Sequence, residues 1–278
     1  MVTAETTNEI LFIKEGCILS KFIELVTKFL PLPPKIIKFK KPNKEILDFS
    51  QTKSFLLLKA GDDFFNGTLP IIKYLIKSAK DISNGVILDN RIILLGKNLK
   101  EEAKVDMWLN FIFSKIIPTT VEIENQLYGK KRFDIRRFEC ALNDLLEILV
   151  EINNYLQFNT FLTANHVQLG DIMLTAALFT CYNDVFTQIE LDMIPNVIRV
   201  FRFVANMRYF KEIFGKAIQC KKIKKPEPFV EPEKDENQPI NNEEKCENDK
   251  KQKKKKNKYT LFIIYEYIIF NLNLSLFT

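Results

Sequence analysis

The stretch HVQLGDIML, His166 to Leu174, sets one carboxylic acid inside an apolar run. The residues that follow, TAALFTCYNDVF, stay apolar on nearly every face, which is the pattern of a helix buried at the centre of a domain. With the N-cap at Gln168, Asp171 falls at N3. Its carboxylate then reaches back to the N-cap N–H and lies at the positive end of the helix dipole. Val167 at N′ and Ile172 at N4 have the spacing of a hydrophobic staple. The acid therefore reads as a fastener that closes the first turn, not as a catalytic group. Gln is a poorer cap than Ser, Thr, Asn or Asp, so the reciprocal half of the box rests on a long amide side chain.

Helical patterns flank this stretch on both sides. DIRRFECALNDLLEILVEINNYLQ (134–157) carries apolar residues at 135, 138, 142, 145, 149 and 152, one stripe of an amphipathic helix. At the helical rise it is about 35 Å long. EEAKVDMWLNFIFSKIIP is predicted to be a helix that ends near Pro118. IPNVIRVFRFVANMRYFKEIFG supplies two further helical pieces. Residues 98–224 are thus expected to form an all-helical domain. Trp108, Phe111 and Phe113 in its first helix read as core facing a neighbouring domain, with a partner surface as the alternative.

Towards the N-terminus the texture changes. EILFIK (9–14) is predicted as a strand and residues 20–30 as a helix starting near Ser20, stopped by PLPP. KIIKFK (35–40) and SFLLLKA (54–60) read as further strands, GDDFFNG as a turn, and residues 68–80 as a helix. NGVILDNRIILLG adds apolar runs of unassigned pairing. The order strand–helix–strand–strand–helix defines a small α/β layer over residues 1–97.

The bulk numbers fit a globular body: 46% hydrophobic and 27% charged residues in a chain of 278. Residues 1–220 hold 28 Lys/Arg against 25 Asp/Glu, so the body lacks a broad basic face for nucleic acid. Five scattered cysteines without a Cys-x-x-Cys, and an N-terminus without an apolar signal segment, suit a reducing cytosol. Residues 225–258 are rich in Pro, Glu, Asn and Lys and are expected to be a disordered linker. Within it, KKQKKKK (Lys250 to Lys256) has the charge to touch RNA or an anionic membrane weakly and without sequence specificity, or simply to remain solvated. The final apolar, aromatic stretch (259–278) has three readings: translated non-coding sequence from an A/T-rich gene, a tail anchor, or an unusual ordered segment. Against the anchor, Glu266 sits inside the span.

FLTANHVQLGDIMLTAAL resembles the F-L-x-x-x-x-x-T-L-A-D-I region of glutathione-transferase-like C-terminal domains, whose central helix carries a capping box and staple. Pro195, Asn196, Arg199, Phe201, Asn206, Phe210 and Gly215 further resemble the elongation factor 1 gamma family. GKAIQCKKIKKPEP is similar to the entry into that family's lysine-rich linker. The resemblance covers about residues 100–224 and is weak over 1–97; residues 259–278 do not match the domain that follows the linker in the family. It implies an α+β, glutathione-transferase-like architecture: a thioredoxin-like first domain, a helical second domain, and a charged linker. It also implies a cytoplasmic, non-catalytic scaffold without a cofactor or metal. That scaffold would anchor the exchange subunit of the elongation factor 1 complex, with aminoacyl-tRNA synthetases bearing similar domains as further partners. A homodimer is left open.

A glutathione transferase fold also raises the question of catalysis. An active member needs a thiolate-stabilising residue at the end of the first strand, a cis-proline before the third strand, and an acid–Ser pair opening the next helix. Cys17 stands near the first position, as a redox thiol or as an inert half-buried cysteine. QTKSFLLLKA contains no proline, and Asn66-Gly67-Thr68 replaces the acid–Ser pair, leaving Thr68 a structural cap. His166 is the sole histidine and is predicted on a solvated loop. The eight glycines form neither a dinucleotide fingerprint nor a P-loop. The chain is therefore expected not to be an enzyme, the alternatives being a transferase using Cys17 or a scaffold of a synthetase complex.

Overall fold

Alternating burial builds the sheet. In the computed structural model, which describes residues 9–40, 56–82 and 94–229, strand β1 (Glu9–Lys14) buries Leu11 and Ile13 and turns their neighbours outward. It pairs in parallel with β2 (Lys35–Phe39), Leu11 opposite Ile36, and antiparallel with β3 (Leu56–Ala60), Leu11 opposite Leu58. The parallel pair needs a crossover, and α1 (Ile18–Thr27) supplies it, burying Phe22, Ile23, Leu25 and Val26. Strand order is β2-β1-β3-β4.

Two sequence expectations are corrected in this layer. GDDFFNG is not a turn throughout. Only Gly61 and Asp62 turn, with Gly61 at φ +63°, while Asp63–Asn66 forms β4 and sets Phe65 opposite Leu58. The β-prone phenylalanines gain a ladder that the surrounding Gly and Asp residues masked. Helix α1 starts at Ile18, ahead of Ser20, and Cys17 is its N-cap. Helix α2 (Thr68–Ile82) follows β4.

The helical region starts with α3 (Leu99–Phe111), capped by Asn98 Oδ1, which accepts the Glu101 N–H at 3.0 Å. Pro118 does not end this run. The chain passes through one π-helical turn (Ile112–Ile116) into α4 (Ile117–Leu127), and Pro118 stands in the first turn of α4, where its missing N–H costs little. Asp134 caps α5 (Ile135–Leu156), accepting from the Arg136 N–H at 3.0 Å. The central α6 (Leu169–Asp184) is followed by the short α7 (Gln188–Met193), then α8 (Pro195–Ala205) and α9 (Arg208–Phe214). Sequence periodicity missed α4 and α7. Helix α7 has a local signature nonetheless: Glu190 accepts the Thr187 N–H at 2.8 Å, closing an N-terminal box.

One hydrophobic core runs through both regions, from Leu11 and Phe22 to Leu109, Leu149, Leu174 and Phe201. Two ion pairs tie α2 to α3, Lys73–Asp106 and Lys77–Glu102, each at 2.7 Å. After α9 the chain runs back over the helical region. The Cys220 N–H donates to the Tyr182 carbonyl at 3.1 Å, Lys224 to Asp184 at 2.8 Å, and Glu227 to Leu127 at 2.8 Å. The Lys224 ammonium also sits 4.0 Å from the centre of the Tyr128 ring. The readings of residues 84–93, of the linker beyond Phe229, of Lys250 to Lys256 and of the tail 259–278 lie outside the described residues.

Candidate functional site

Two places bear on function: the N-terminus of α6, and the β1–α1 corner where a transferase would hold its thiol. At the first, Asp171 is completely buried. One carboxylate oxygen accepts the Gln168 N–H at 3.0 Å and the other accepts the Leu162 N–H at 2.9 Å. The first bond is the one the spacing predicts. The second was invisible in the sequence, because Leu162 lies nine residues away on the loop from α5. Asp171 thus fixes the helix to the loop as well as closing its own turn. Burial pushes its pKa up to about 6, against the opposing pull of the main-chain N–H groups of Leu162, Gln168 and Asp171 itself.

Gln168 is buried at the cap, with its side chain against the Asp171 N–H in the manner of a capping box. Its Oε1 completes no hydrogen bond. The Asp171 N–H instead donates to the Gln168 main-chain carbonyl at 3.1 Å. Val167 and Ile172 are both buried at their staple positions. Asp171 carries no substrate-facing surface, so its geometry is that of a structural fastener.

Around this joint the residues that drew the family resemblance acquire individual roles. The Arg199 guanidinium donates to three carbonyls at the end of α5 and just beyond, Leu156, Asn159 and Thr160, at 2.8–3.1 Å. It caps the α5 C-terminus, where a cation complements the helix dipole. The Asn196 N–H donates to Asn153 Oδ1 at 2.8 Å. Phe201 and Phe210 are buried, and Gly215 ends α9 at φ +89°. Trp108 is nearly buried against Phe111 and Tyr155, which places it inside the helical region. His166 is not solvated as the sequence reading expected. Its side chain keeps 17% of its surface, with Nε2 at 3.2 Å from Gln168 Nε2 and 4.0 Å from Glu101 Oε2.

At the second place, Cys17 is half-buried, and its side chain makes no capping bond to α1. Gly16 precedes it at φ +74°. Gly67, at φ +92°, sits between β4 and α2 and gives its carbonyl to the Ile71 N–H. Thr68 is buried rather than presented to a ligand. Beside it, Phe65 stacks on Tyr74 with ring centres 4.7 Å apart. The β4–α2 junction therefore holds Asn66, Gly67 and Thr68 where an acid–Ser pair would grip a γ-glutamyl group, while the Cys17 thiol stands at the start of α1. Burial pushes the Cys181 thiol up, which makes it inert packing.

This fold, a β2-β1-β3-β4 layer followed by a helical region with a fastened central helix, is that of the glutathione transferases. Glutathione transferase F7 from Populus trichocarpa superposes on 74% of the chain with a TM-score of 0.63 at 16% identity, using 97% of its own length. The GST-like domain of elongation factor 1-gamma from Saccharomyces cerevisiae superposes over its whole length on 80% of the chain, with a TM-score of 0.67 and 16% identity.

Sequence similarity points the same way. Elongation factor 1-gamma of Danio rerio is 28% identical over 131 residues, 47% of this chain and 30% of that protein. Valine–tRNA ligase of Takifugu rubripes is 24% identical over 126 residues, 45% of this chain but 10% of that protein. The matched region thus spans about 30% of the length of the elongation factor relatives. No protein-family model matches the chain.

Proposed function

We propose that this chain is a non-catalytic, cytoplasmic scaffold subunit of an elongation factor 1 exchange complex, in which its glutathione-transferase-like body anchors the nucleotide-exchange subunit. The observation that carries the reading is the similarity to elongation factor 1-gamma over nearly half the chain. The β4–α2 junction supports it, since Asn66-Gly67-Thr68 lacks an acid to hold a peptide amine. On this reading the body divides into a thioredoxin-like domain to residue 97 and a helical domain over 98–224. Binding and tethering, with the linker setting reach, are the mechanism. Affinity capture from cell extract with the full chain as bait is expected to recover exchange-factor subunits. Recovery of aminoacyl-tRNA synthetases without them would favour the synthetase-scaffold reading, which the similarity to valine–tRNA ligase supports.

A second reading, a glutathione transferase using Cys17, draws on the likeness to transferase structures. Glutathione-affinity chromatography with a conjugation assay separates the two. Retention on the column, with activity abolished by Cys17→Ala, would falsify the scaffold assignment.

A further inference from the structure

We propose that a cavity between the start of α3 and the loop joining α5 to α6 binds a phosphate-bearing anion. The cavity measures about 450 Å³ and lies away from the β1–α1 corner. That volume falls within the range of small-molecule sites, with room for a phosphate and the group that carries it.

Its wall is rich in cations and donors. Lys97, Lys100 and Lys104 line it, and none of them joins an ion pair among the described residues. Thr163 Oγ1 is shielded from solvent and has no hydrogen-bond partner in the protein. Asn98 spends its Oδ1 on the Glu101 N–H at 3.0 Å, which leaves its amide N–H groups for the cavity.

The single carboxylate in the wall, Glu101, is already committed. Its Oε2 accepts the Lys97 N–H at 2.8 Å and faces the Gln168 amide at 3.5 Å. The first turn of α3 is capped by Asn98 and Glu101, so the helix end is not what attracts the ligand. The attraction comes from three ammonium groups that join no ion pair among the described residues and outnumber the one carboxylate in the wall. Lysines are compact point charges that bind phosphate groups without requiring a bidentate geometry, and three of them around one cavity match the multiple charges of a phosphate-bearing anion. Two sources share that chemistry: a free phosphorylated metabolite and the phosphodiester backbone of RNA.

His166, the only histidine in the chain, lines the same cavity and provides a unique reporter. Its imidazole proton resonances can be followed in the full-length protein while inorganic pyrophosphate or a short oligouridylate is titrated in. A saturable shift with pyrophosphate is expected, and it identifies a free phosphorylated ligand as the source. A shift with oligouridylate alone identifies an RNA backbone. Lys100→Ala combined with Lys104→Ala should weaken the response by roughly tenfold or more, as expected for losing charge-assisted contacts. Both lysines are exposed, so their removal leaves the fold intact. Lys100→Arg with Lys104→Arg should retain it. Absence of a saturable shift with both probes overturns the proposal, as does a response unchanged in the double alanine variant.

Discussion

Two helix N-termini in this molecule meet the same requirement and answer it differently. At α6, a buried carboxylate satisfies two main-chain N–H groups, one of them on a loop nine residues back. At α1, the N-cap is Cys17, whose side chain satisfies nothing. The first joint spends polar chemistry on holding the helical region together. The second sits where a transferase would place its thiol-stabilising residue, and the side chain there makes no capping bond. The contrast teaches where polar side chains hold the helical region together: through Asp171, Arg199 and Asn153.

The largest effect expected at the α6 joint is from Asp171→Ala. It orphans two buried N–H groups, and a loss of roughly 3–5 kcal/mol is expected by urea denaturation. A loss below about 1 kcal/mol would break the comparison, because the carboxylate would then be dispensable.

The pH dependence follows next. Burial holds native Asp171 near 6, above the 3.8 of an exposed carboxyl. Between those values the native state binds a proton that the unfolded chain does not. This group's contribution is therefore fully present below about pH 3.8 and is lost as pH rises through about 6, a change on the order of 2–3 kcal/mol. Glu122 works the opposite way. Lys131 holds its carboxyl below the usual range, so its contribution is lost as pH falls. Comparing wild type with Asp171→Asn isolates the first component, since the amide does not titrate. Parallel stability profiles for the two would show that the carboxylate is not desolvated in solution.

A smaller change sharpens the same picture. Arg199→Lys keeps the charge but cannot span three carbonyls, and it should cost about 1–2 kcal/mol in the same denaturation experiment. The smallest effect is expected at the α1 terminus. Cys17→Ala removes a half-buried thiol without a capping bond and should shift stability by less than about 1 kcal/mol. It should also leave capture of exchange-factor subunits unchanged, as measured on the same bait column.

Much of the fold was legible because local pattern and burial agree. β1 follows its alternation, α5 its three-four stripe from Phe138 onward, with Ile135 left exposed at the helix start, and α6 its uniform apolarity with one acid at N3. β4 was hidden because Gly and Asp residues announce a turn more loudly than two phenylalanines announce a strand. α4 was hidden by Pro118, which reads as a stop unless the preceding turn widens to let it stand at a helix start. α7 is too short for periodicity to show. Of the two sites, the local half of the Asp171 joint was readable and the Leu162 half was not.

The sequence alone determined the order of elements, the fastening role of Asp171 within its own turn, and the missing acid–Ser pair before α2. These depend on residues within a turn of one another or on residue type at one position. Only the tertiary structure decided that Asp171 also pins a distant loop, that Arg199 gathers three carbonyls across about forty residues, and that Lys97, Lys100 and Lys104 share a cavity with Thr163 and His166. Such meetings are set by how helices pack around a common core, and spacing along the chain carries no record of that packing.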